Sequence, residues 1–104
     1  MITKYEGYCI ICGKPTNTTH HLVFGRGLRE LSDADGLTAP VCDEHHNIGK
    51  YRIHDNPVSE TLSKIIGQLQ WEKDYLLKEG QFAYKNMDER AREAFRKRYG
   101  KSYL

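Results

Sequence analysis

Between residues 42 and 54 the sequence reads CDEHHNIGKYRIH, which gathers Cys42, His45, His46 and His54 in a 104-residue chain holding only three cysteines and five histidines. The other two cysteines, Cys9 and Cys12, lie in CIICG with the same two-residue gap that separates Cys42 from His45. Such a gap lets two ligands on one tight turn reach adjacent corners of a tetrahedron, and a thiolate-rich set of this kind selects zinc. Cys9, Cys12, Cys42 and His45 therefore read as one structural zinc site. His45 and His46 are interchangeable candidates for its fourth corner, and the matching gap favours His45. The odd cysteine count argues against a disulfide framework.

With that site assigned, His20, His21, His46 and His54 remain. The pair in THHLVF falls between the two knuckles, His46 directly follows the second, and His54 comes eight residues later. A zinc staple would hold the strand bearing His20 and His21 against the segment bearing His46. Converging imidazoles suit a divalent cation on an open site, with one histidine left over to deprotonate water. The residues alone do not say which histidine is that base.

The elements that must position these groups divide at Pro57. Before it, Gly, Pro, Asn and Asp punctuate short apolar runs (YCII, HLVF, LTAPVC), which read as short strands and loops with too little apolar mass to hold together without a staple. After it, Val58, Leu62, Ile65, Ile66, Leu69 and Leu76 recur at helical spacing and predict an amphipathic helix with this stripe facing the core, capped by Ser59 or Asn56 and ended by Gly80. A second helix is expected from about Asp88, with Ala91, Ala94, Phe95 and Tyr99 inward and its arginines outward. Trp71, Tyr75 and Phe82 read as packing residues rather than stacking platforms for bases.

Residues 1–57 carry six Lys/Arg against seven Asp/Glu, and residues 58–104 carry ten against seven, so the basic excess lies in the terminal RAREAFRKRYGK. Arg92, Arg96 and Lys97 of that helix are candidate phosphate contacts. So are Arg26 and Arg29 in FGRGLRE, where flanking glycines let the backbone approach a ligand. No apolar run approaches the length of a membrane span and MITKYEGYC has no signal-peptide core, so no membrane association and a cytoplasmic location are expected.

The order C-x2-C, HH, C-x2-H followed at once by H, then a further H, resembles the HNH endonucleases of the ββα-metal class. More closely, HHLVFGRGLRELSDADGL, HHNIGKYRIHDN and FRKRYGKSYL look like small phage- and prophage-encoded HNH proteins, loosely related to recombinase-dependent nucleases. The resemblance implies an α+β fold, with a zinc-stapled ββα-metal core over residues 1–57 and a helical extension over 58–104 packed on it as a single domain. It also implies that His20, His46 and His54 hold a catalytic divalent metal such as Mg2+, Mn2+ or Ni2+, with His54 alternatively a phosphate contact, and that His21 is the general base. The implied partner is DNA in a phage-infected or lysogenic bacterial host, with a recombinase or other host protein and a homodimer as further partners. Two departures stand out. The family's middle Asn precedes the second knuckle, and the corresponding SDADGLTAPVC has none, so Asp35, Asn47 or Asn56 must stand in; and His45 occupies a corner where most members have cysteine. The competing expectation is a zinc-stapled module that binds nucleic acid or a host protein without turnover.

Overall fold

The computed structural model describes residues 1–79 and 87–104; Gly80 and Phe82, expected to end a helix and to pack, lie outside them. The fold is α+β, as expected. Strand β1 (Thr19–His21) is followed by helix α1 (Leu28–Ala34), strand β2 (Thr38–Pro40), a single π-helical turn (Glu44–Ile48), helix α2 (Pro57–Glu79) and helix α3 (Met87–Tyr99).

The strands pair antiparallel with His20 opposite Ala39, and Leu22 N–H to Leu37 O and Val41 N–H to Thr18 O extend the ladder at its two ends. Alternation along β1 sends His20 into the interior and His21 to the other face, where it is only partly covered. LTAPVC thus contains a strand and HLVF begins in one. YCII instead forms a knuckle, joined to the sheet by Ile10 N–H donating to Pro40 O at 2.8 Å.

Helix α1 falls where loops and strands were expected. It spans only seven residues, it has no side-chain cap, and it is entered through Gly27 at φ 76° and left through Gly36 at φ 71°. Leu28 and Leu31 pack on the core, and buried Ser32 donates to Leu37 O at 2.9 Å and accepts from Val23 N–H. Tertiary contacts hold this helix where local propensity gives little signal.

Helix α2 begins on Pro57, a favoured first position, and Asn56 caps it by accepting from the N–H groups of Val58 and Ser59, each at 3.1 Å. Its orientation corrects the sequence reading. Val58, Leu62, Ile66 and Leu69 are 68, 52, 46 and 50% exposed, and only Ile65 and Leu76 of the expected stripe are partly buried. The face that packs is Ser63, Gly67, Gln68, Trp71 and Glu72. The reason is close approach combined with polar pairing. A Cβ on Gly67 would lie 2.7 Å from Val23 Cγ2, so the backbone of α2 sits directly on the Leu22–Val23 segment. Buried Gln68 then accepts from Tyr103 N–H at 2.7 Å, and Glu72 accepts from Gln68 and Arg92.

The main core draws on both halves of the chain: Leu22, Val23, Leu37 and Ala39 meet Phe95 and Tyr99 of α3, with Trp71 alongside. Ala91, Phe95 and Tyr99 face inward as expected, and Ala94 is partly buried. Around the knuckles the buried set shrinks to Cys9, Val41, Cys42 and Ile53. Among the described residues no helix is long and apolar enough to cross a membrane.

Candidate active site

The knuckle at residues 9–13 is closed by Gly13 N–H to Cys9 O at 2.8 Å, and Gly13 adopts φ 78°, which a side chain would strain. At the second knuckle, His45 and His46 N–H both bond Cys42 O, which starts the π turn. Strand β2 runs from the contact with the first knuckle straight into the second, and the two ligand pairs converge. Cys12 Sγ lies 3.7 Å from Cys42 Sγ, Cys42 Sγ lies 3.2 Å from His45 Nδ1, and one ligand atom from each of Cys9, Cys12, Cys42 and His45 falls within 4.8 Å of the others, an arrangement that can hold a metal ion. Burial pushes the Cys9 thiol up, but the backbone N–H groups around it outweigh this and lower it to about 6. Cys42 moves the other way: the His45 N–H lowers it, while burial and the neighbouring Cys12 and Cys9 sulfurs raise it. Without a cation these sulfurs cannot all ionise together.

The second cluster lies one residue further along. The segment after the π turn folds back on it through Ile53 N–H to His45 O at 2.7 Å and His54 N–H to His46 O at 3.2 Å, which brings His54 against His46. Their Nε2 atoms are 3.1 Å apart, and the His20 ring meets both edge-on at 5.1 and 5.2 Å between centroids. Nitrogens of His20, His46 and His54 lie within 4.8 Å of one another. His20 is fully buried. Its burial, followed by the nearby His46 and His54, depresses its basicity to about 3, so the ring is neutral; burial followed by His54 lowers His46 too. His20 Nδ1 is the one buried side-chain nitrogen or oxygen without a partner among the described residues, while its Nε2 meets Ser63 Oγ at 2.8 Å.

These rings line a cavity of about 380 Å³ together with His21, Phe24, Arg29 and Asn47. His21 is outside the three-histidine cluster, and its Nε2 lies 3.3 Å from Asp33 Oδ1. A carboxylate only accepts, so Nε2 carries a proton, and in the neutral ring the lone pair is on Nδ1. Asp33, on α1, is thus the carboxylate beside His21, not Asp35. Asp35 accepts from Arg98 at 2.6 and 2.7 Å, from Tyr99 Oη at 2.7 Å and from Trp71 Nε1 at 3.0 Å, and is fully committed to joining α2 and α3 to the core. Asn56 is the α2 cap, and Asn47 contacts His46 Nδ1 at 3.0 Å. Sequence reasoning missed Asp33 and Ser63. Leu28, Leu31 and Ser32 at helical spacing were the available signal for α1 and hence for Asp33; nothing local marks Ser63.

No protein family, curated protein or solved structure matches the chain.

The expected phosphate contacts divide. Arg29 lines the cavity, and exposed Arg26 does not. Arg92 pairs with buried Glu72 at 3.4 Å, and Arg96 is held by Glu93 at 2.9 Å, so neither presents a free charge; Lys97 is exposed.

Proposed function

We propose that the protein is a metal-dependent HNH-type endonuclease that hydrolyses DNA phosphodiester bonds, with zinc as its structural metal. The observation that carries the proposal is one strand supplying two roles to one cavity: His20 turned in among His46 and His54, and His21 beside them with a carboxylate behind it.

The donor sets fit their metals. Ligands bound at about 2.3 Å on a tetrahedron sit roughly 3.8 Å apart, close to the Cys12–Cys42 separation of 3.7 Å. Imidazole nitrogens about 2.1 Å from a divalent cation, on adjacent octahedral corners, sit roughly 3.0 Å apart, against 3.1 Å for His46 and His54, and among the candidate cations Ni2+ suits such donors best. The unpartnered Nδ1 of His20 is free to serve as a third donor. Asn47 supports His46 if its amide presents Oδ1 to Nδ1–H, an orientation equivalent in shape to its rotated form, which leaves Nε2 bare.

His20, His46 and His54 would hold a divalent cation such as Mg2+, Mn2+ or Ni2+, which supplies charge stabilisation to the phosphorane and the departing 3′ oxygen. His21 takes the proton of the attacking water on Nδ1, and Asp33 keeps the opposite nitrogen protonated and steadies the imidazolium as it forms. Arg29 offers its guanidinium to phosphate oxygens at the cavity wall.

The test is plasmid nicking with Mg2+, Mn2+ or Ni2+. Wild type cuts, and His21→Ala is inactive with DNA binding and metal content intact. A wild type that fails to cut under every divalent metal, or a His21→Ala variant that cuts equally well, refutes the nuclease. The alternative, a zinc-stapled module that binds nucleic acid or a host protein, draws support from the exposed Ile10, Ile11, Leu62 and Ile66, which rim an apolar groove.

A further inference from the structure

We propose that Ser63 is a positioning residue that fixes the tautomer of His20, so that helix α2 presents a bare Nδ1 to the histidine cluster. The inference rests on the metal-dependent reading of that cluster.

A serine hydroxyl has one proton to give. Ser63 Oγ lies 2.8 Å from Leu22 O, a carbonyl that can only accept, and 2.8 Å from His20 Nε2, which can either give or accept. With the proton committed to Leu22 O, Ser63 meets His20 with lone pairs alone. Nε2 must then carry the ring proton, and Nδ1 has none. Nδ1 is also the atom that is buried without a partner.

The opposite arrangement, in which Ser63 donates to Nε2, moves the ring proton to Nδ1. It leaves a buried N–H with no acceptor and deprives Leu22 O of this donor, and each unpaired buried group is costly. Both side chains are nearly inaccessible, Ser63 at 4% and His20 at 1%, so the contact between them is shielded from bulk water.

The hydroxyl has little freedom to drift. One turn further along α2, Gly67 presses the helix backbone onto Val23 and Leu22, the residue whose carbonyl takes the Ser63 proton. The docking of α2 on the sheet and the tautomer of His20 are therefore one arrangement. An acceptor behind a ligating imidazole, taking the N–H of its other ring nitrogen, fixes its orientation and raises its basicity, and its loss typically weakens metal binding 10- to 100-fold.

The experiment uses the full chain with its cysteine site loaded and the histidine site free. Long-range proton–nitrogen correlation on histidine-labelled protein reads the His20 tautomer directly, with Nε2–H and a bare Nδ1 expected. Titration with Mn2+ or Ni2+ alone then compares wild type, Ser63→Ala and Ser63→Thr. Ser63→Ala is expected to mix the two tautomers and to bind the second metal roughly 10- to 100-fold more weakly. Ser63→Thr, which keeps the hydroxyl, retains the tautomer. A wild-type His20 protonated on Nδ1 overturns the proposal without using any variant, as does a folded Ser63→Ala with unchanged tautomer and affinity. If His20 holds Nε2–H through Ser63 but wild type binds no second metal, the nuclease reading falls and the tautomer assignment stands.

Discussion

Replacing Gly67 by Ala sets two effects of opposite sign against each other. Gly67 lies inside α2, where Gly is about 1 kcal/mol worse than Ala, so an unobstructed substitution raises stability. The site is obstructed. The added Cβ would lie 2.7 Å from Val23 Cγ2 and 3.0 Å from Leu22 Cβ. Val23 is fully buried in the main core, and Leu22 Cβ is bound to the main chain, so neither yields like the tip of a flexible side chain. Relief requires α2 to lift off the sheet. Overpacking of this kind costs about 1–3 kcal/mol, and here the upper half of that range applies because both neighbours are constrained. Subtracting the propensity gain leaves a net loss of about 1–2 kcal/mol. At roughly 2 cal/mol/K of unfolding entropy per residue, a chain of 104 residues loses about 5 °C of Tm per kcal/mol, so a drop of about 5–10 °C is expected. Thermal and urea melts of the metal-loaded protein measure it, with His20 chemical shifts reporting the lift at Ser63. A Gly67→Ala variant melting above wild type would refute the close-approach account of how α2 docks.

Three further outcomes follow from named contacts. On the proposed reading, chelation of the structural metal should unfold the two knuckles and the segment carrying His46 and His54, because the buried set around them is small, Cys9, Val41, Cys42 and Ile53; circular dichroism with elemental analysis checks this, and a zinc-free protein that keeps this region folded defeats it. The Arg98, Tyr99 and Trp71 donors outweigh burial and hold the Asp35 carboxyl below its ordinary value of 3.8, so its stabilisation is complete above that value and is lost as pH falls through and below it. Asp35→Asn should cost about 2–3 kcal/mol near neutrality and flatten that acid limb, and an unchanged urea midpoint at pH 7 would contradict it. On α3, Arg92→Gln should lower stability by stranding buried Glu72, whereas Lys97→Gln should leave the fold intact and, on the proposed reading, remove about one unit from the salt slope of DNA binding. Equal salt slopes for wild type and Lys97→Gln would return Lys97 to solvent.

The cluster of Cys9, Cys12, Cys42 and His45 was legible in the sequence because its set is written in local spacing: each knuckle keeps its gap wherever the rest of the chain goes, whereas the trio of His20, His46 and His54 followed from the resemblance. Which of His20 and His21 turns inward was not legible from the residues alone; the strand, sending neighbours to opposite faces, puts His20 inside. Nor was the inward face of α2. Apolar periodicity assumes that a helix docks by its greasiest side, and here Gly67 permits contact at backbone distance while Ser63, Gln68 and Glu72 find polar partners below. Those partners lie far along the chain; Ser63 and His20 are 43 residues apart. Asp33 was hidden by α1, seven residues whose helical state depends on the core under Leu28 and Leu31. A carboxylate two positions from the expected one is therefore the one that faces His21.

A single peptide bond joins His45, in the cysteine cluster, to His46, in the histidine cluster. On the proposed reading this sets an order of assembly. Until the soft cation draws the two knuckles together, nothing fixes the π turn, and His46 has no defined place beside His20. The hard cation thus arrives at a site that exists only once the first has been filled. Newly made chains in a cell short of zinc would stay inert however much magnesium surrounds them, and restoring zinc would return activity with the time course of folding rather than of ion diffusion.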